Sequence, residues 1–91
     1  MARLVFGIHA VRRMFERAVS VDDVVRVLNS GEAIQISPDN KPYPTRVVLG
    51  WSDSRPLHVV VADNPDDRET IVITVYEPDR HHWGPSLRRR R

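Results

Sequence analysis

The chain has no cysteine, which excludes a disulfide framework and any thiolate metal site and agrees with a reducing compartment. It also has no run of about 18 apolar residues, and the apolar part of its opening MARLVFGIHAVRR is too short for a signal peptide. A cytoplasmic protein without membrane contact is therefore expected. P-loop, GxGxxG and nucleophile-elbow motifs are all missing, so nucleotide-dependent transfer and serine hydrolysis lack their parts. There is no HExxH spacing, and His81 and His82 are neighbours, a spacing that rarely turns both rings towards one ion. No metal and no cofactor is expected.

The 91 residues, 41% hydrophobic and 29% charged, suit one folded domain. We read residues 1–87 as that domain and 88–91 as a basic tail. Four of the fourteen basic residues are Arg88, Arg89, Arg90 and Arg91. Without them ten basic residues face twelve acidic ones, and the formal net charge goes from +2 to −2. The body is thus not basic as a whole. Arg3, Arg12, Arg13 and Arg17 nevertheless outweigh Glu16 in the first segment, whereas Asp63, Asp66, Asp67 and Glu69 make one turn acidic.

Over residues 8–18, Ile8, Val11, Met14, Phe15 and Ala18 recur at helical spacing and predict an amphipathic helix. Ser20 has the character of an N-cap, with Asp22 and Asp23 in the first turn of a second helix over residues 21–29 that turns Val24, Val25 and Leu28 inward. Gly31 is expected to stop it in the left-handed conformation. The period then changes to 2. EAIQIS, TRVVLGW, LHVVVAD and TIVITVYEP read as strands separated by PDNKPYP, SDSRP and NPDDRE, and residues 3–6 leave room for a short strand ahead of the helices. The expected fold is α+β, with two N-terminal helices packed on one face of a four-stranded antiparallel sheet.

Strict alternation divides LHVVVAD into Leu57, Val59 and Val61 on one face and His58, Val60 and Ala62 on the other. It divides the last strand into Ile71, Ile73 and Val75 against Val72, Thr74 and Tyr76. The aliphatic sets belong against the helices, which leaves His58, Thr74 and Tyr76 together on the opposite face. Closing the hairpin makes His58 and Tyr76 cross-strand or diagonal neighbours, either as a site or as rings covering a solvent-facing sheet. On the first helix His9, Arg13, Glu16 and Arg17 form a second group, a polar stripe whose guanidinium forks suit phosphate.

HAVRRMFER, SVDDVVRVLNSGE, KPYPTRVVLG, RPLHVVVA and ITVYEPD followed by Trp83 resemble, in this order, the small bacterial domain of unknown function 4258. The resemblance runs from His9 to Trp83. It implies a layout like that of RelE-like toxins of type II toxin–antitoxin systems. It also implies an endoribonuclease cleaving messenger RNA without a metal, and a cognate antitoxin with zinc-finger and helix-turn-helix segments as partner. On the matching positions, His9, His58, Glu16 and Tyr76 are the catalytic candidates. Arg13 and Arg17, with Arg55 at the strand entrance, are the RNA-binding ones. Histidine suits the proton transfers because its pKa of about 6.5 lies near neutrality, and arginine suits the phosphorane charge. The alternative is a non-catalytic module that binds an antitoxin-like protein.

Overall fold

A computed structural model describes residues 3–79 and 81–89, in the order β1 (Arg3–Phe6), α1 (Ile8–Arg17), α2 (Val21–Ser30), β2 (Glu32–Ser37), β3 (Thr45–Ser52), β4 (Arg55–Asn64) and β5 (Glu69–Tyr76). The last four strands form the antiparallel meander that their short links predict. The sheet is nonetheless five-stranded and mixed, in the order β1-β5-β4-β3-β2, rather than four-stranded and antiparallel. The added strand, β1, lies parallel to β5, pairing Leu4 with Thr70 and Phe6 with Val72. The Gly7 amide extends the ladder to the Val72 carbonyl at 3.0 Å, and α1 begins at once. A strand feeding directly into a helix packed on its own sheet is confined to the edge beside that helix, which here is β5.

Ser20 opens α2 with a capping box: its Oγ accepts from the Asp23 amide at 3.0 Å, and the Asp23 carboxylate accepts from the Ser20 amide at 2.8 Å. The Ser52 hydroxyl also donates to Asp23, and this hydrogen bond foremost holds the carboxyl below the usual range. Gly31 does end the helix, but its backbone is extended (φ −82°) rather than left-handed. Glycine is needed there for closeness. A Cβ would stand 2.6 Å from the Leu49 carbonyl oxygen and 2.8 Å from Val48 Cγ1, with the Val27 carbonyl nearer still.

The main core lies between the helices and one sheet face, where Ala10, Met14, Val24 and Val27 meet Val48, Leu57, Val59, Val61, Val72 and Val75. The expected split of β5 fails at one point. Val60 pairs with Thr74 and Val61 with Val72, so Ile73 is a bulge residue without a partner. The extra residue resets the alternation. Val72 joins Val75 against the helices, Ile71 pairs with Ala62 on the far side, and Ile73 is exposed. The inward face of α1 also differs from its apolar stripe. Ala10 and Met14 are buried, whereas Ile8 is 84% and Phe15 89% exposed, and Val11 and Ala18 are exposed as well. Small Ala10 allows the close approach to the sheet, which turns the bulkier stripe outward.

A second, smaller core covers the other face. Trp83 and Leu87, from the segment after β5, pack on Leu49 with Ile34 and Tyr76 beside them. Arg88 pairs with Glu32 of β2, so this residue of the expected tail is held against the body, while Arg90 and Arg91 fall outside the described residues.

Candidate functional site

His58 stands directly opposite Tyr76 in the β4–β5 ladder, on the face away from the helices. The expected adjacency is present, but neither the open site nor the solvent-facing ring is. His58 is 0% exposed, with the Trp83 ring edge-on at 4.4 Å and the Tyr76 ring at 5.2 Å. Nothing in the period of β4 signals this burial, because the cover comes from residues 83 and 87, beyond the last strand.

Both ring nitrogens are satisfied. Nε2 lies 2.8 Å from the Leu87 carbonyl oxygen, which can only accept, so Nε2 carries the proton. Nδ1 is then the acceptor, and the Tyr76 phenol donates to it at 3.2 Å. Burial lowers the imidazole pKa below its ordinary value, with the Leu87 carbonyl opposing in part, so His58 is held neutral in one tautomer. A buried imidazole that accepts the phenol proton makes the phenol oxygen richer in electrons and fixes its direction.

Tyr76 forms part of a cleft of about 470 Å³ with Arg17, Glu77, Asp79, His82 and Trp83. Arg17 reaches it from the last residue of α1 and has no ion-pair partner among the described residues. His82 directs Nδ1 to the Asp79 carboxylate at 3.2 Å, and the same carboxylate accepts from the His81 amide at 2.8 Å. That backbone hydrogen bond is the main cause of the lowered Asp79 pKa, so Asp79 is a carboxylate that orients His82 Nδ1–H and leaves Nε2 outward. His82 and Asp79 were not among the sequence candidates. Their one signal is the i, i+3 spacing of Asp79 and His82 after the last strand, which the adjacency of His81 and His82 does not reveal. Among the described residues no three His, Asp or Glu side chains converge on a common ion position.

The remaining candidates are dispersed. His9, Arg13 and Glu16 form a chain on α1, Arg13 Nε donating to His9 Nε2 at 3.5 Å and Nη1 to Glu16 at 3.4 Å. Because α1 packs on the face of Leu57, Val59 and Val61, His9 and His58 lie on opposite sides of the sheet. The shared two-histidine cleft is therefore absent: period 2 sends His58 away from the very helix that carries His9. Arg55 is occupied structurally. Its guanidinium donates to the Ala18 carbonyl at 3.0 Å and to the Arg17 carbonyl, and pairs with Glu77 at 3.3 Å. It closes the end of α1, where Ala18 is left-handed (φ 53°), and thereby fixes Arg17 beside the cleft.

Over residues 6–77 the chain matches a family described as a domain of unknown function, DUF4258. No curated protein and no solved structure matches it.

Proposed function

The chain belongs to the DUF4258 family, and we propose that it is the toxin of a toxin–antitoxin pair, an endoribonuclease acting at the cleft between the end of α1 and the end of β5. One observation carries this reading: a phenol whose proton is already committed to a neutral buried imidazole stands in the same cleft as an arginine without an ion-pair partner among the described residues and a carboxylate-oriented histidine. Those are the three parts that cleavage without a metal needs.

In this mechanism the RNA phosphate sits on Arg17. The 2′-hydroxyl proton passes to the Tyr76 oxygen as the phenol proton passes to His58 Nδ1, and the 2′-oxygen attacks phosphorus. The phosphorane charge is borne by Arg17. The bond from phosphorus to the 5′-oxygen breaks as His82 gives that oxygen a proton, leaving a 2′,3′-cyclic phosphate and a 5′-hydroxyl. His58 does not touch RNA in this scheme and is a positioning residue. Arg13, further up α1, contacts the RNA backbone, and His9 and Glu16 orient it. Arg55 acts only through Arg17.

The test is purified protein on single-stranded RNA with EDTA present, alongside Tyr76→Phe, Arg17→Ala and His82→Ala. Each variant is expected to lose on the order of 10²-fold or more in cleavage rate. Undiminished cleavage by the Tyr76→Phe, Arg17→Ala double variant would sink the assignment. A second reading, a non-catalytic module that binds an antitoxin-like protein, is favoured by the exposed Ile8 and Phe15 of α1. It predicts no cleavage by the wild type under any of these conditions.

A further inference from the structure

The segment after β5 covers the sheet face that carries His58, and much of its backbone bonding is internal. The Trp83 amide donates to the Asp79 carbonyl at 2.8 Å, the Gly84 amide to the Arg89 carbonyl at 2.8 Å and the Leu87 amide to the Gly84 carbonyl at 2.9 Å. Its seat on the sheet includes the buried Trp83 and Leu87 side chains, the hydrogen bond from His58 Nε2 to the Leu87 carbonyl, and the surface pair of Arg88 with Glu32. Leu87 takes a left-handed backbone there (φ 62°). A bulky side chain holds that conformation only where its surroundings over-determine it, so seating Leu87 stores strain that unseating releases.

His58 is the titratable group under this cover. Against it stand Leu49 opposite on β3, Tyr76 opposite on β5, and Trp83 and Leu87 of the covering segment. Of these only Tyr76 titrates, and a phenol keeps its proton at and below neutrality. The charged groups nearby are Arg17, Glu77, Asp79 and His82, which line the cleft bordered by Tyr76 and Trp83, and the Arg88–Glu32 pair beside Leu87. Among the described residues no carboxylate touches the ring. A second proton on it would be a buried cation without an anion in contact, and Tyr76 would lose its acceptor.

Such a cation returns to water through whichever cover opens most readily. Moving β4 breaks its ladders to both β3 and β5 and opens the main core. Lifting the covering segment gives up the burial of two side chains, a carbonyl contact and a surface ion pair, and it relaxes Leu87. We infer that residues 81–89 are a pH-operated strap: when His58 takes up a second proton, the strap lifts as a unit while the five strands and both helices stay folded. Trp83 and His82 then leave the Tyr76 cleft, and Leu49 loses its cover. The inference stands on burial and hydrogen bonding, so it holds or fails whether or not the cleft acts on RNA.

The experiment uses the full chain with Trp51→Phe, which leaves Trp83 as its one tryptophan; Trp51 is 48% exposed and belongs to neither core. Trp83 emission and its quenching by acrylamide are followed from about pH 7.5 to about 4.5, beside far-ultraviolet circular dichroism. The expected result is a red shift of the emission and a rise in quenching of at least about threefold, with the circular dichroism unchanged. Below the ordinary imidazole pKa of about 6.5, opening grows about tenfold per pH unit, so a seat weakened tenfold raises the midpoint by about one unit. Leu87→Ala, which keeps the carbonyl and loses most of the side chain, should show that rise. His58→Gln should remove the pH dependence. The double variant His81→Gln, His82→Gln should keep it, because both rings are exposed and His82 faces Asp79. An emission independent of pH in both the Trp51→Phe protein and its Leu87→Ala derivative, or a transition that survives His58→Gln, would overturn the inference. So would circular dichroism that falls in step with the emission, since strap and sheet would then unfold as one.

Discussion

Lowering the pH from neutrality towards about 5 crosses the ordinary imidazole pKa of about 6.5, where an unfolded chain takes up a proton at His58 and the folded one resists it. In the fold the ring is 0% exposed, with Nε2–H on the Leu87 carbonyl and Nδ1 accepting from Tyr76. A second proton on Nδ1 would put a charge in an apolar site and turn the Tyr76 phenol from donor to acceptor, sending its own proton elsewhere. The folded pKa is therefore lowered, with burial the main cause. Between that pKa and 6.5 the unfolded state binds more protons than the folded one. Stability is then fully present above about 6.5 and falls with pH until the folded ring itself is protonated. One proton sets a ceiling of about 1.4 kcal/mol per pH unit, or about 5–10 °C in melting temperature for a domain of this length. Asp23 and Asp63, whose pKa values are lowered by hydrogen bonds from Ser52 and from Arg46 respectively, add their losses only below the ordinary carboxylate range. The assay is a series of melts between about pH 7.5 and 5 for the wild type and His58→Gln, a residue that has a donor and an acceptor but does not titrate. A loss of melting temperature in the wild type that largely disappears in His58→Gln is the expected result. A flat wild-type profile, or an equal slope in both proteins, would refute the buried neutral imidazole.

Gly31→Ala should destabilise the fold by about 1–3 kcal/mol, because the methyl meets the Leu49 and Val27 carbonyls and Val48 rather than open space. Urea titration should show a lower midpoint with an unchanged slope, and a rise in the midpoint would mean that the glycine serves only flexibility. Arg55→Ala should cost about 1–2 kcal/mol by uncovering the last carbonyls of α1. Hydrogen exchange should then speed up in the final turn of α1 more than in α2, and equal protection in both helices would contradict the capping role. If Arg17 acts in RNA cleavage, Arg55→Ala should also reduce the rate, and Arg55→Lys should restore part of it.

The helix and strand order was legible because local chemistry and period agree: Ser20 with Asp23 begins α2, and the period changes at Gly31. The antiparallel meander followed from short links. The β1 strand was legible only as room for a strand, since its parallel partner β5 lies more than sixty residues away. Ile73 shows why a pattern read residue by residue fails at a bulge. Strict alternation in TIVITVY puts Ile71, Ile73 and Val75 on the core side, the bulged strand puts Val72 and Val75 there, and only the pairing with β4 decides between them. Phe15 shows the same for a helix: the apolar stripe predicts amphipathicity, whereas the small Ala10 decides which side approaches the sheet.

For the candidate site, the sequence determined that His58 and Tyr76 share a sheet face, because alternation and a hairpin register are local properties of two adjacent strands. It also determined that a stripe containing Arg13 and Arg17 runs along α1. The tertiary structure alone decided that His58 is sealed by Trp83 and Leu87, that its tautomer is set by a backbone carbonyl, and that His9 is on the wrong side of the sheet. It alone brought Arg17, Tyr76 and His82 to one cleft. The reason is that burial and proton direction depend on which distant segment covers a residue, and no period within a strand encodes its cover.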